Sequence, residues 1–179
     1  MKLSNKLFAA LFATLFISSA AFAQGVTGDS DNISATTNVV TAITVAGVDD
    51  LQFGNILTTP GADVIVANTS ANAGSFDISG GVAGATVDLT FTLPSTLTAS
   101  APDGDPTPIT IIFSATDASR NTADVQGGAT NFDPSSTEST VLSGSGALFV
   151  WLGGTLDTDS GTFDADSYSA TITLAVDYN

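Results

Sequence analysis

The chain has 179 residues, of which 18 are acidic and three basic, and it has no histidine and no cysteine, giving a formal net charge of −15. Without histidine or cysteine it can build no Cys/His zinc site, Ser-His-Asp triad, cysteine nucleophile or disulfide. Phosphate neutralisation needs a basic face, so nucleic-acid binding is excluded, and binding to anionic lipid is disfavoured for the same reason.

Residues 1–23 read as a secretory signal peptide. Lys2 and Lys6 give a positive start, Leu7 to Ile17 is nearly all apolar, and Ala21-Phe22-Ala23 is a small-x-small cleavage site. The apolar run is shorter than the roughly 20 residues of a spanning helix. Cleavage before Gln24 leaves 179 − 23 = 156 residues, in which Arg120 stands alone against 18 acids, a net charge of 1 − 18 = −17. The expected location is therefore beyond the inner membrane, periplasmic in transit and finally extracellular or at the cell surface, with no direct membrane insertion. The mature part has no lysine, which removes Schiff-base chemistry and Lys-Asn isopeptide links. A domain of about 150 residues can bury enough surface to stand without disulfides.

Gln24 to Asn32 is a polar N-terminal arm, and residues 33–179 read as one domain. Ile33 to Val45 alternates through Ile33, Ala35, Thr37, Val39, Thr41, Ile43 and Val45, predicting a long first strand. Gly47 to Asp50 turns into a second expected strand, Leu51 to Leu57, whose Gly54 marks a bulge or a close approach. Asp63 to Ala67 suits a strand buried on both sides, and Ser75 to Ser79 and Ala85 to Leu93 alternate before Gly80-Gly81 and Pro94. Asp103-Gly104-Asp105-Pro106 is a turn cluster leading into Ile109 to Ala115. Asp117 to Ser139 shows no sustained period and reads as a long surface loop with at most a short edge strand. Ala147 to Leu152 is a compact apolar strand ended by Gly153-Gly154. From Tyr168 every second side chain is apolar or aromatic (Tyr168, Ala170, Ile172, Leu174, Val176, Tyr178), predicting a terminal strand of about 35 to 40 Å.

Eight or nine strands with turn signals every 8 to 12 residues predict an all-β fold, a single antiparallel β-sandwich. An eight-stranded outer-membrane barrel fits the length, but few aromatics are available for girdles and the last residue is Asn179. Asp157, Asp159, Asp164 and Asp166 alternate as oxygen ligands of calcium loops do, although the glycine falls one place early and Tyr168 stands where an EF-hand carries glutamate. A solvated acidic turn is the better account of them, so no cofactor is expected, with calcium at these four residues the one weak candidate. Paired carboxylates for glycoside hydrolysis are available anywhere in so acidic a chain, but only ten aromatics follow residue 23, mostly on core faces.

Asn38-Val39-Val40-Thr41-Ala42-Ile43-Thr44-Val45, then Asp50-Leu51-Gln52-Phe53-Gly54-Asn55-Ile56, with Gly161 and Ser167 to Tyr178 closing the chain, carry a family resemblance. The sequence resembles the secreted bacterial family of domain of unknown function 4402. More loosely, it is similar to the spore coat protein U family, which includes pilins of archaic chaperone-usher systems. The resemblance implies an immunoglobulin-like sandwich and a non-enzymatic surface protein, pilin-like or matrix-like, that polymerises by β-strand addition. Its partners would be itself or related subunits, with a periplasmic chaperone and an outer-membrane usher during export. In that reading Ile33, Ala35, Thr37 and Val39 face an acceptor groove, and Tyr168, Ile172, Leu174, Val176 and Tyr178 form one wall of it. The arm interrupts its apolar positions with Asp29, Asp31 and Asn32. The alternative is a self-complete monomeric binding or adhesion module whose arm packs into its own sheet.

Overall fold

Alternation becomes a strand only where a neighbour completes its hydrogen-bond ladder, and in this chain the neighbours are all antiparallel. The computed structural model describes residues 31–100, 107–159 and 161–179. The signal segment, the arm up to residue 30 and the Asp103–Pro106 turn lie outside the described residues. The chain divides into two units, 1–38 and 39–179. In the first, residues 31–38 form no strand and are exposed.

The second unit holds β1 (Thr44–Asp49), β2 (Val64–Val66), β3 (Gly74–Ser79), β4 (Thr86–Thr92), β5 (Thr96–Ala99), β6 (Ile109–Ile112) and β7 (Ala118–Asn121). It continues with β8 (Thr130–Phe132), β9 (Glu138–Val141), β10 (Leu148–Leu152), β11 (Gly154–Asp157), β12 (Tyr168–Ser169) and β13 (Thr173–Tyr178). One five-stranded sheet runs β1-β3-β10-β7-β8 and a three-stranded sheet runs β13-β4-β9. A second five-stranded sheet runs β12-β5-β6-β11-β2.

The sandwich core lies between the first two sheets. Ile78, Ala118, Phe132, Leu148, Val150 and Leu152 from one meet Val87, Leu89 and Leu174 from the other, all buried. Phe91 on β4 stands edge-on to Phe76 at 5.9 Å and stacks on Phe132 at 6.3 Å, tying the two layers through aromatic contacts. Each fully buried Leu, Val or Ile contributes about 1.5–3 kcal/mol, so this cluster is the main source of stability. Between β7 of one layer and the edge strand β9 of the other, Arg120 donates from Nε (2.8 Å) and Nη2 (2.6 Å) to Glu138 Oε1. A smaller cluster, Ile109, Ile111, Leu156 and Phe163, lies on the third sheet and is flanked by half-buried Leu51, Phe53, Ile56, Val64, Leu97 and Tyr168. Phe113 packs against both clusters and joins them.

The fold is the expected all-β antiparallel sandwich, but several elements differ from expectation. Among the described residues the count is thirteen, because the chain is interrupted between β4 and β5, β10 and β11, and β12 and β13, and because the segment expected as a loop contributes β7, β8 and the start of β9. β10 and β11 are separated by Gly153 alone, where a Cβ would run into the Val66 carbonyl oxygen and the Asn68 amide. Gly153 therefore ends β10, as expected, at a close approach of neighbouring backbone, and the chain passes there into the third sheet. β4 and β5 are separated by Leu93-Pro94-Ser95, since Pro94 has no N–H for the ladder. Opposite this break, Ser169 faces Thr98 and Thr173 faces Thr92, so four steps on the terminal strand match six on its partner. The terminal strand is consequently interrupted at residues 170–172, and Ala170 is exposed.

Residues 31–43 form no strand despite their alternation, and neither do residues 51–57. In both, the period is present but a pairing neighbour is not. Asp63 to Ala67 is not buried on both sides: β2 is an edge strand and Ile65 is 71% exposed. Asp117 to Ser139, read as a surface loop, contains β7, β8 and the start of β9, with Ala118 and Ser119 buried. Its hidden positions are Ala118, Ser119, Phe132 and Pro134, too scattered and mostly too small to make an apolar period. Among the described residues the sheets are open, with an unpaired strand at both ends of each order, and do not close into a barrel.

Candidate functional site

The first and last strands of the sandwich are both edge strands, β1 on one layer and β13 on the other, and β12 continues that edge on the third sheet. The two edges are tied at two points. At one, Tyr178 Oη donates to the Thr41 carbonyl at 2.9 Å and accepts from the Val82 N–H at 2.8 Å. At the other, the Phe163 N–H donates to the Thr58 carbonyl at 2.8 Å. Between these ties the edges stand apart over a groove of about 970 Å³. One wall is Gly47 to Thr58, the other Phe163 to Ile172, and Leu97, Ile109, Ile111, Leu152 and Leu156 form the floor.

The wall before Thr58 is extended but unladdered. Its Gln52 N–H donates to the Asn72 carbonyl at 2.9 Å, and Gly54 adopts a φ of 73° with open space where a Cβ would stand. Val48 is 56% and Leu57 74% exposed, so apolar side chains on this wall are left in water. On the opposite wall the Tyr168 hydroxyl is buried without a hydrogen-bond partner, an unfavourable state for a phenol. The rim carries Asp49 and Asp50 on one side and Asp164 and Asp166 on the other, all exposed. Asp49 accepts from Ser75 Oγ at 2.8 Å. Chemically, this groove offers backbone edges for pairing and a negative rim, while Ile109, Ile111, Leu152 and Leu156 beneath it are already buried in the core.

The predicted site residues are distributed unevenly. Tyr168 and Ile172 line the groove. Leu174 is buried in the sandwich core, and Val176 and Tyr178 pack against it. Ile33 and Val39 are 99% and 94% exposed, and Ala35 and Thr37 are exposed as well, all outside any strand. Leu51, Phe53, Ile56 and Leu57, the second wall, were missed as site residues; the glycine at position 54, in an apolar stretch without a partner, was the available signal. Of the four aspartates considered for calcium, Asp157 and Asp159 come together with Asp63, their carboxylate oxygens within 4.8 Å of one another, whereas Asp164 and Asp166 belong to the groove. Asp63 Oδ1 accepts the N–H groups of Thr158 (3.0 Å) and Asp159 (3.2 Å), which staples the end of β11 to the segment before β2. Three exposed carboxylates could supply part of the six to eight oxygens calcium takes.

A smaller hollow of about 240 Å³ lies beside Trp151, bordered by Asp49, Ser70, Asp124 and Gln126. Next to it, burial first and then the charges of Asp124 and Asp49 raise Asp77 above the ordinary carboxylate range.

The fold and groove together define an antiparallel β-sandwich whose first and last edges stand apart over an apolar floor. The chain belongs to the family described as domain of unknown function (DUF4402), whose model matches residues 43–178. That match takes in both groove walls and every strand from β1 to β13. No curated protein matches the chain.

Proposed function

We propose that the protein is a non-enzymatic structural subunit of an exported surface assembly, pilus-like or matrix-like, and that its groove accepts a β-strand from another subunit. The observation that carries this reading is the groove between two edges that lack a ladder partner on their facing sides, with Val48 and Leu57 left exposed beside it. An unpaired edge is a template for another chain, and although β1 shifts register between Gly47 and Asp49 and ends in two exposed aspartates, β13 on the other side pairs in register throughout. An inserted strand would pair with both edges, cover Val48 and Leu57 and bring main-chain acceptors to the Tyr168 hydroxyl. The alternating segment through Ile33, Ala35, Thr37 and Val39 is the donor this chain would offer to a further subunit. Before assembly a periplasmic chaperone would cover the same groove, and an outer-membrane usher would receive the subunit. The acidic surface keeps exported subunits soluble and apart until the groove is filled.

The test is a denaturing gel of the surface-sheared fraction, run unheated and boiled, beside a variant lacking Gln24 to Thr37. A detergent-resistant ladder that collapses on boiling and is lost with the arm is the expected result. A monomer band in every lane would refute strand-clamped assembly and leave a self-complete binding module.

A further inference from the structure

Trp151 is the single tryptophan of the chain. Its neighbours Val150 and Leu152 lie in the sandwich core, so its own side chain points to the outer face of the sheet. There it is 6% exposed and lines the hollow of about 240 Å³ bordered by Asp49, Ser70, Asp124 and Gln126. Buried indoles usually give their N–H to an acceptor. Among the described residues nothing accepts from Trp151 Nε1, and the atom is not sealed off. Directly across the ladder, Ser119 is 1% exposed and its Oγ has no partner either. Residues directly opposite share a face, so two neighbouring polar groups are left unsatisfied, which buried groups rarely are.

The walls of the hollow are held in place. Gln126 Nε2 donates to the carbonyls of Asn68 (3.3 Å) and Ser70 (3.2 Å), fastening one bordering loop to the other. Asn121 Nδ2 donates to the Val125 carbonyl at 2.9 Å, across the turn that carries Asp124. Ser75 Oγ donates to Asp49 Oδ2 at 2.8 Å and orients that carboxylate. After burial, the charges of Asp124 and Asp49 are what raise neighbouring Asp77, so the hollow lies in a negative field.

We infer that this hollow binds a single neutral sugar residue, its hydroxyls donating to the Asp49 and Asp124 carboxylates and one of its oxygens accepting the Trp151 N–H. A hydroxyl both donates and accepts, which suits a rim of acceptors around a donor. A metal ion or an ammonium group would meet the carboxylates but offer nothing to the indole N–H, and an acidic sugar would be repelled by Asp49, Asp77 and Asp124. The volume is below the roughly 300–1,000 Å³ of sites for drug-sized ligands, so the hollow takes one ring and not a chain of them. Asp49 borders both this hollow and the groove, but the sugar site needs no inserted strand, and neither reading falls with the other.

The test titrates the purified exported protein with the methyl glycosides of glucose, galactose, mannose and N-acetylglucosamine, following the fluorescence of its single tryptophan. Methyl glucuronide and tetramethylammonium chloride are the charged comparisons. At least one neutral glycoside should change the emission saturably at millimolar concentration and bind at least about tenfold tighter than methyl glucuronide. Asp124→Ala, at an exposed position and checked for folding by circular dichroism, should weaken that glycoside at least about tenfold through loss of a charged hydrogen bond. Trp151→Phe, which keeps an aromatic ring but no N–H, should weaken it as well when binding is followed by calorimetry. No response to any of the four neutral glycosides would overturn the inference. Undiminished binding by Asp124→Ala would place the sugar elsewhere and overturn it too. A response to tetramethylammonium alone would overturn it and reassign the hollow to an organic cation.

Discussion

Arg120 is the one cation after residue 6, and its removal tests how the two layers are held together at the edge opposite the groove. Its Nε and Nη2 both donate to Glu138 Oε1, at 2.8 and 2.6 Å, with the two side chains 23% and 26% exposed. Exposed ion pairs contribute about 0–1 kcal/mol, whereas breaking a buried pair by removing one partner costs about 3–5 kcal/mol. A pair about a quarter exposed falls between these limits. Arg120→Met should therefore cost about 2–3 kcal/mol, because the arginine stem is replaced by apolar packing while Glu138 loses two charged hydrogen bonds. At about 2–4 °C per kcal/mol for a domain of this size, the melting temperature should fall by about 5–10 °C. The assay is urea unfolding of Arg120→Met, Glu138→Gln and the double variant, with a coupling energy of about 2 kcal/mol expected from the cycle. A coupling below about 0.5 kcal/mol would refute the reasoning and leave the layers held by their apolar core alone.

Gly146 has a φ of 73°, and a Cβ there would run into the Gly81 carbonyl oxygen. Gly146→Ala should thus destabilise by about 3 kcal/mol or more in chemical denaturation, whereas Gly144→Ala, with open space around it, should change stability by less than about 1 kcal/mol. Leu148, fully buried, should cost about 3–5 kcal/mol on change to alanine, while Leu57→Ala, 74% exposed on the groove wall, should leave the isolated subunit within about 0.5 kcal/mol yet weaken strand capture. Asp77 holds its proton more tightly folded than unfolded, so its favourable contribution is full below the ordinary value of 3.8 and is lost as pH rises through the raised one. Asp77→Asn should accordingly raise the urea midpoint at neutral pH, and the gain should disappear below about pH 3.8; a gain that persists in acid would contradict this.

Much of the sandwich could be read from the period of side chains. Val87, Leu89 and Leu174 lie where alternation placed them, and Leu148 to Leu152 is the central buried strand. What was illegible depended on partners that a single segment cannot reveal. Ile33 to Ile43 and Leu51 to Leu57 have the right period with no ladder to join, and the second of these became a groove wall. Conversely, Ala118–Asn121 forms a strand without apolar alternation: Ala118 is in the apolar core, but Ser119 is buried beside it and Arg120 and Asn121 follow, so no apolar period marks the strand. The acidic turn held two kinds of aspartate that sequence spacing could not separate. Asp157 and Asp159 meet Asp63 from a distant segment, while Asp164 and Asp166 turn to the rim. Half of the groove was foreseen in Tyr168 and Ile172, and the other half needed the third dimension.

The central claim is that the space between the first and last edges is filled by a strand in the working state. Hydrogen–deuterium exchange tests it most directly, comparing purified monomer with the surface-sheared fraction. In the assembly, amides along residues 47–57 and 164–172 should gain strong protection, while those of β10, paired on both sides already, should change little. Exchange along both walls that is as fast in the surface fraction as in the monomer would contradict the account.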